Sequence, residues 1–163
     1  MSAIRFVGQT PLLRQVQAAT IEECRDYCLS KKVLGVDTET EGFDFTCKKM
    51  IMFQIGDKDR QYVVDTRTVD ISPLREILES NDIIKVLHNA KFDYKFIKKW
   101  AGISLEKIYD TFLVERVINC GKQDYGYSLA RCTERYLGHT LDKETRNRFV
   151  NLKGKPYTID QIR

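Results

Sequence analysis

Three carboxylates stand out as the groups in this chain able to do chemistry. Asp37 and Glu39 close the stretch Val33-Leu34-Gly35-Val36-Asp37-Thr38-Glu39-Thr40, an apolar run that ends in acids. On an extended backbone residues two apart leave the same face, and like charges held side by side repel and raise a pKa unless a cation lies between them. The third acid, Asp93, lies in His88-Asn89-Ala90-Lys91-Phe92-Asp93-Tyr94-Lys95-Phe96-Ile97-Lys98-Lys99-Trp100. At about 100° per residue, Phe92, Phe96, Ile97 and Trp100 cover one arc of a helix, with Asp93 in its middle and Lys95, Lys98 and Lys99 opposite. An inward-facing carboxylate requires a cation or a proton, because burying it unpaired is costly. Mg²⁺ or Mn²⁺ held by Asp37, Glu39 and Asp93 meets that requirement with oxygen ligands. Alone, Asp-x-Glu reads first as the polar end of a strand entering a turn; Asp93 shifts the balance to a metal site.

The elements that must position these acids can be read from periodicity. Residues 4–7 form a short apolar piece, expected at a sheet edge. Thr20-Ile21-Glu22-Glu23 has the form of a capping box and opens a helix with Ile21, Cys24, Cys28 and Leu29 on one face. The acidic strand follows, then residues 50–55, a Gly56-Asp57 turn and residues 61–65: three strands joined by short links, hence antiparallel. Ser72-Pro73 predicts a helix with Ser72 as N-cap, running to about Ser80. Residues 83–87 predict a buried strand, and Asn89 is the expected cap of the helix carrying Asp93. A short strand near Ile108 leads to Asp110, the natural N-cap of a helix over 111–119, a role placed ahead of metal binding. This order gives an α/β class with a mixed sheet, three antiparallel strands then parallel ones, flanked by helices.

The chain has 163 residues and fits one domain, with residues 1–30 leading into the core. It contains no apolar run near the length of a membrane span and no basic-then-apolar amino terminus, so it reads as a soluble cytoplasmic protein. Five cysteines without Cys-x-x-Cys spacing read as reduced, buried thiols. The formal charge of +4 resides in residues 143–163, which hold six basic and two acidic residues. With Phe149 and Tyr157 among them, that segment suits a phosphate backbone with a base to stack on; a solvated loop is the other reading.

With Asp-Thr-Glu-Thr at 37–40 and His-Asn-Ala-Lys-Phe-Asp at 88–93, the chain resembles the DEDD superfamily of 3′-to-5′ exonucleases. The likeness is chiefly to the proofreading domain of DNA polymerase I-type enzymes, with RNase D as a cousin, and it covers most of residues 30–163. It implies a ribonuclease H-like fold with the acidic strand central, and two-metal phosphodiester hydrolysis at single-stranded DNA 3′ ends, RNA being the other substrate. Asp37 would bridge both ions, Glu39 would hold the first and Asp93 the second. Thr38, Thr40, His88, Asn89 and Phe92, with Lys143, Arg146 and Arg148, would face the nucleic acid, Phe92 and the apolar side chains near the first motif helping to wedge the last base. His88 reads alternatively as a polar strand end. A bacterial or phage-infected cell is the implied setting.

The family pattern also asks for a Tyr and an Asp one helical turn apart. Here Tyr157-Thr158-Ile159-Asp160 has the wrong spacing, and Thr158-Ile159-Asp160-Gln161 is itself a capping box. The expectation is a domain over 1–163 that is incomplete at its carboxyl end, with an incomplete two-metal site. A polymerase domain, a complementing C-terminal segment or a second copy would be its partner. The competing expectation is a non-catalytic nucleic-acid-binding or assembly module that works with a partner chain.

Overall fold

The computed structural model describes residues 3–9 and 16–141. Lys143, Arg146, Arg148 and the stretch from Tyr157 to Asp160 lie outside the described residues. The strands are β1 (Ala3–Val7), β2 (Gln17–Ala18), β3 (Val33–Thr40), β4 (Met50–Gly56), β5 (Arg60–Asp65), β6 (Ile84–Leu87) and β7 (Ile108–Asp110). The helices are α1 (Ile21–Leu29), α2 (Arg75–Leu78), α3 (Ala90–Ala101), α4 (Thr111–Ile118) and α5 (Leu129–Leu137).

The strands form one seven-stranded sheet in the order β2-β1-β5-β4-β3-β6-β7. As the sequence suggested, β3, β4 and β5 pair antiparallel, whereas β6 joins β3 and β7 joins β6 in parallel. This is a ribonuclease H-like mixed sheet flanked by helices. β1 is not the edge: the two-residue β2 covers its outer side.

Register decides where the acids stand. β3 pairs with β6 over Val33, Leu34 and Gly35, and with β4 as far as Thr40, with an irregularity between Glu39 and Thr40. The acidic half of β3 therefore runs past its β6 partner. That leaves an opening at the carboxyl ends of the parallel strands, the usual place for ligands in open α/β sheets. The tight β4–β5 turn needs Gly56, since a Cβ there would stand 2.3 Å from the Arg60 carbonyl oxygen.

The main core packs α1, α2 and α3 against the sheet through Cys24, Cys28, Phe53, Tyr62, Ile77, Phe96 and Ile97 among others. The capping box of α1 forms in both directions: Thr20 Oγ1 accepts from the Glu23 N–H, and Glu23 accepts from the Thr20 N–H. The Ser72 expectation is corrected. Residues 72–74 are a turn of 3-10 helix without a side-chain cap, and Asp70 takes the Ser72 N–H at 2.9 Å, because an Asp two residues ahead can close its own turn. The cysteines are all free, but only Cys24 and Cys28 are buried; Cys47 and Cys120 are exposed and Cys132 is half-buried. Cys47 lies in the loop after β3, and Cys120 sits just past α4 with φ 51°, both outside the packed layers.

Beyond β7 the packing thins. α5 buries no residue and is tied to α4 by Glu115, which accepts from Arg135 and, at 2.9 Å, from the Tyr136 hydroxyl. Val117, Ile118 and Leu137 on these helices are exposed. Among the described residues no helix is long and apolar enough to cross a membrane.

Candidate active site

Alternation along β3 sends Asp37 and Glu39 to one face, exposed and half-buried respectively, and Thr38 and Thr40 to the other, where both are buried. The α3 helix approaches from the buried side. Asp93, in its first turn, is 3 % exposed, and its Oδ1 accepts a 2.6 Å hydrogen bond from Thr38 Oγ1. The inward placement of Asp93 expected from helical spacing is thus observed. Burial pushes its carboxyl up to about 7; the Thr38 hydroxyl works against that rise, and the Asp37 charge adds to it. So the buried acid has a donor, and below about pH 7 a proton, before any cation is invoked. Thr38 lies between Asp37 and Glu39 in β3, so its bond to Asp93 brings the α3 acid to the acidic stretch of the strand.

Among the described residues no three acidic, His or Cys side chains stand together as a ready metal cage. The oxygen donors nonetheless suit a hard divalent ion: two carboxylates on one face of β3 and, reaching the strand from the Thr38 side, a third that burial above all, with the Asp37 charge added, keeps from ionising.

The seating of α3 comes from a residue that sequence reasoning credited with half its work. Asp110 caps α4 as expected, accepting from the Phe112 N–H at 2.9 Å and the Leu113 N–H at 3.4 Å. The same carboxylate also accepts from the Asn89 N–H and the Ala90 N–H, both at 2.9 Å. Asn89, the expected cap of α3, makes no capping bond; it sits in the left-handed region (φ 65°, ψ 50°), and Asp110 fills the role. One carboxylate thus meets two helix N-termini, where backbone donors and the helix dipole favour negative charge. Adjacency of β6 and β7 in the sheet is the signal that could have revealed it, with Leu87 in register opposite Asp110.

The remaining expected contacts divide. Thr38 and Thr40 spend their hydroxyls inside the protein, on Asp93 and on the Gly42 carbonyl at 2.7 Å. His88 is half-buried, with Nδ1 2.9 Å from Thr111 Oγ1 and its ring edge-on to Phe112. Burial holds its imidazole below the usual range, against the Tyr127 backbone and the Asp110 charge. The Phe92 ring meets Phe43 at 6.3 Å and Phe96 at 5.0 Å, and the three help line, with Asn89, a hollow of about 190 Å³ whose lining includes none of the three acids. Phe43, 73 % exposed, is one of the apolar side chains just past the first motif. A larger hollow of about 460 Å³, between residues 124–126 and α5, contains none of the three acids.

The family model described as 3′-5′ exonuclease matches residues 16–162. The chain belongs to the DEDD-type 3′-5′ exonuclease family. Among relatives of this family, ribonuclease D of Nitrobacter hamburgensis is 30 % identical over 138 residues, covering 80 % of this chain and 33 % of its own length. The chain therefore spans about a third of that relative. Two solved structures share the fold. The catalytic core of RRP6 from Trypanosoma brucei matches with a TM-score of 0.79 at 18 % identity, over 99 % of this chain and 42 % of that one. Brucella melitensis NrnC with bound Mg²⁺ matches with a TM-score of 0.74 at 17 % identity, over 99 % and 72 %.

Proposed function

We propose that this chain is a divalent-metal-dependent 3′-5′ exonuclease that removes nucleotides from the end of a single strand, RNA ahead of DNA. One observation carries the reading: the Thr38–Asp93 hydrogen bond joins two acidic segments 55 residues apart, at the open end of β3, in a chain of this family. RNA is preferred because the relative named ribonuclease D covers most of the chain.

Asp37, Glu39 and Asp93 would hold Mg²⁺ or Mn²⁺, which supplies charge stabilisation and an activated water when bound. The protein's own groups do the rest. Asp37 and Glu39 present paired oxygens to the opening. Thr38 holds the Asp93 carboxyl in place, and Asp110 fixes the first turn of α3. Phe43 and Phe92 offer ring faces and edges on which a terminal base can stack.

A single-stranded RNA labelled at its 5′ end tests the proposal. Shortening from the 3′ end in Mg²⁺ or Mn²⁺, stopped by EDTA and slower on DNA of the same sequence, is expected. Binding without shortening would instead identify the non-catalytic binding module.

A further inference from the structure

Loop 41–49 runs alongside α3 and touches it at three successive turns. Phe43 meets Phe92 at 6.3 Å, Phe45 meets Phe96 at 6.5 Å, and the Trp100 indole N–H donates to the Lys48 carbonyl at 2.9 Å. Phe92, Phe96 and Trp100 are four residues apart, so they form one ridge of the helix. The next ridge is Lys91, Lys95 and Lys99, all exposed, and Lys95 Nζ stands 5.1 Å from the Phe45 ring centre. Among the described residues no carboxylate pairs with any of these three lysines. The loop's Asp44 is turned to Thr46, whose hydroxyl and N–H it accepts, and Glu41 accepts from the Lys49 N–H. Phe96 is core, with Phe92 and Phe45 half-buried against it, so packing accounts for the inner rings; a solvated helix face accounts for the lysines alone, but not for the rings left open at the two ends of the strip, Phe43 and Trp100.

We propose that the Lys91-Lys95-Lys99 ridge, with the aromatic strip beside it, is the track that holds the single strand upstream of its 3′ end. This rests on the exonuclease reading and extends it from the terminal nucleotide to the strand behind it. The ridge spans about 12 Å at 1.5 Å per residue, the length of three to four stacked nucleotides at about 3.4 Å each. Lysine ammoniums against phosphates with bases on neighbouring rings is a binding mode that tolerates sequence. The track therefore accepts any single strand long enough to reach Lys99.

The test compares the wild-type chain, the triple variant K91Q/K95Q/K99Q and the charge-matched control K32Q/K58Q/K122Q. Binding of a fluorescent ten-nucleotide RNA is measured in EDTA across a salt series. Three lost phosphate contacts should make the slope of log K against log salt shallower by about 2, at roughly 0.7 per contact for a single strand. Affinity at 0.1 M salt should fall between about 10- and 100-fold, while the control stays at wild-type values. If the triple variant matches the control while wild type binds and trims RNA, the track is overturned and the exonuclease reading stands. If wild type binds RNA and the triple variant loses slope, but no metal supports trimming, the track stands and the exonuclease reading falls. Wild type that neither binds nor trims overturns both.

Discussion

Thr38 Oγ1 donates to Asp93 Oδ1 at 2.6 Å, joining the middle residue of the β3 acidic motif to the α3 acid. The bond fixes where α3 meets the strand, and it gives the buried carboxyl a donor. Thr38→Val removes that donor while keeping the shape. It should cost about 1–3 kcal/mol of unfolding free energy, read as a lower urea midpoint, and Thr38→Ser should recover most of the loss.

Asp93 makes metal-free stability fall with rising pH. Its carboxyl is pushed up to about 7, mainly by burial, above an unfolded value near 3.9. The unfolded chain therefore releases this proton first. The group costs nothing below about pH 4, and its cost grows until the folded carboxyl ionises near pH 7. At 1.36 kcal/mol per pKa unit the full cost is on the order of 4 kcal/mol. Urea unfolding in EDTA at pH 5 and pH 8 should show this decline in wild type and lose it in Asp93→Asn, whose side chain can still accept from Thr38.

Asp110 joins α3 to α4 through four backbone N–H groups. Asp110→Ala should destabilise the fold by about 1–3 kcal/mol, more than an ordinary single cap. Hydrogen exchange should quicken at the first turns of both helices. Asp110→Asn, which keeps one acceptor oxygen, should fall between Ala and wild type. Faster exchange at α4 alone would contradict the two-helix role.

Lys85 is fully buried, and its ammonium donates to the carbonyls of Ile77, Ser80 and Ile83 at 3.2, 2.6 and 2.8 Å. Burial lowers its pKa. Lys85→Met fills the volume but leaves three carbonyls without that donor, and should cost about 2–4 kcal/mol in chemical denaturation. A neutral result would mean that the stem's packing, not the ammonium, matters there.

How far the sequence revealed this molecule depends on the range of the interactions. The β3–β4–β5 meander, the capping box at Thr20 and the inward turn of Asp93 follow from spacings within one or two turns of chain, and all three are present. The misjudged features depend on distant partners. Asn89 has the right residue type for a cap, but its N–H and that of Ala90 are taken by Asp110, which arrives through the parallel pairing of β7 with β6. Burial of Asp93 argued for a metal from sequence; Thr38 on the facing strand supplies a hydrogen bond that helical periodicity could not disclose. The sequence points to apolar side chains near the first motif but does not single out Phe43 as the partner of Phe92, 49 residues away.

In the proposed exonuclease, the β3 acids serve metal-dependent removal of 3′ nucleotides. The most direct measurement follows a 5′-labelled single-stranded RNA with Mn²⁺ and either wild type or Asp37→Ala, circular dichroism showing that both are folded. Stepwise 3′ shortening by wild type and none by the variant is the predicted result. A variant that trims at the wild-type rate would contradict it.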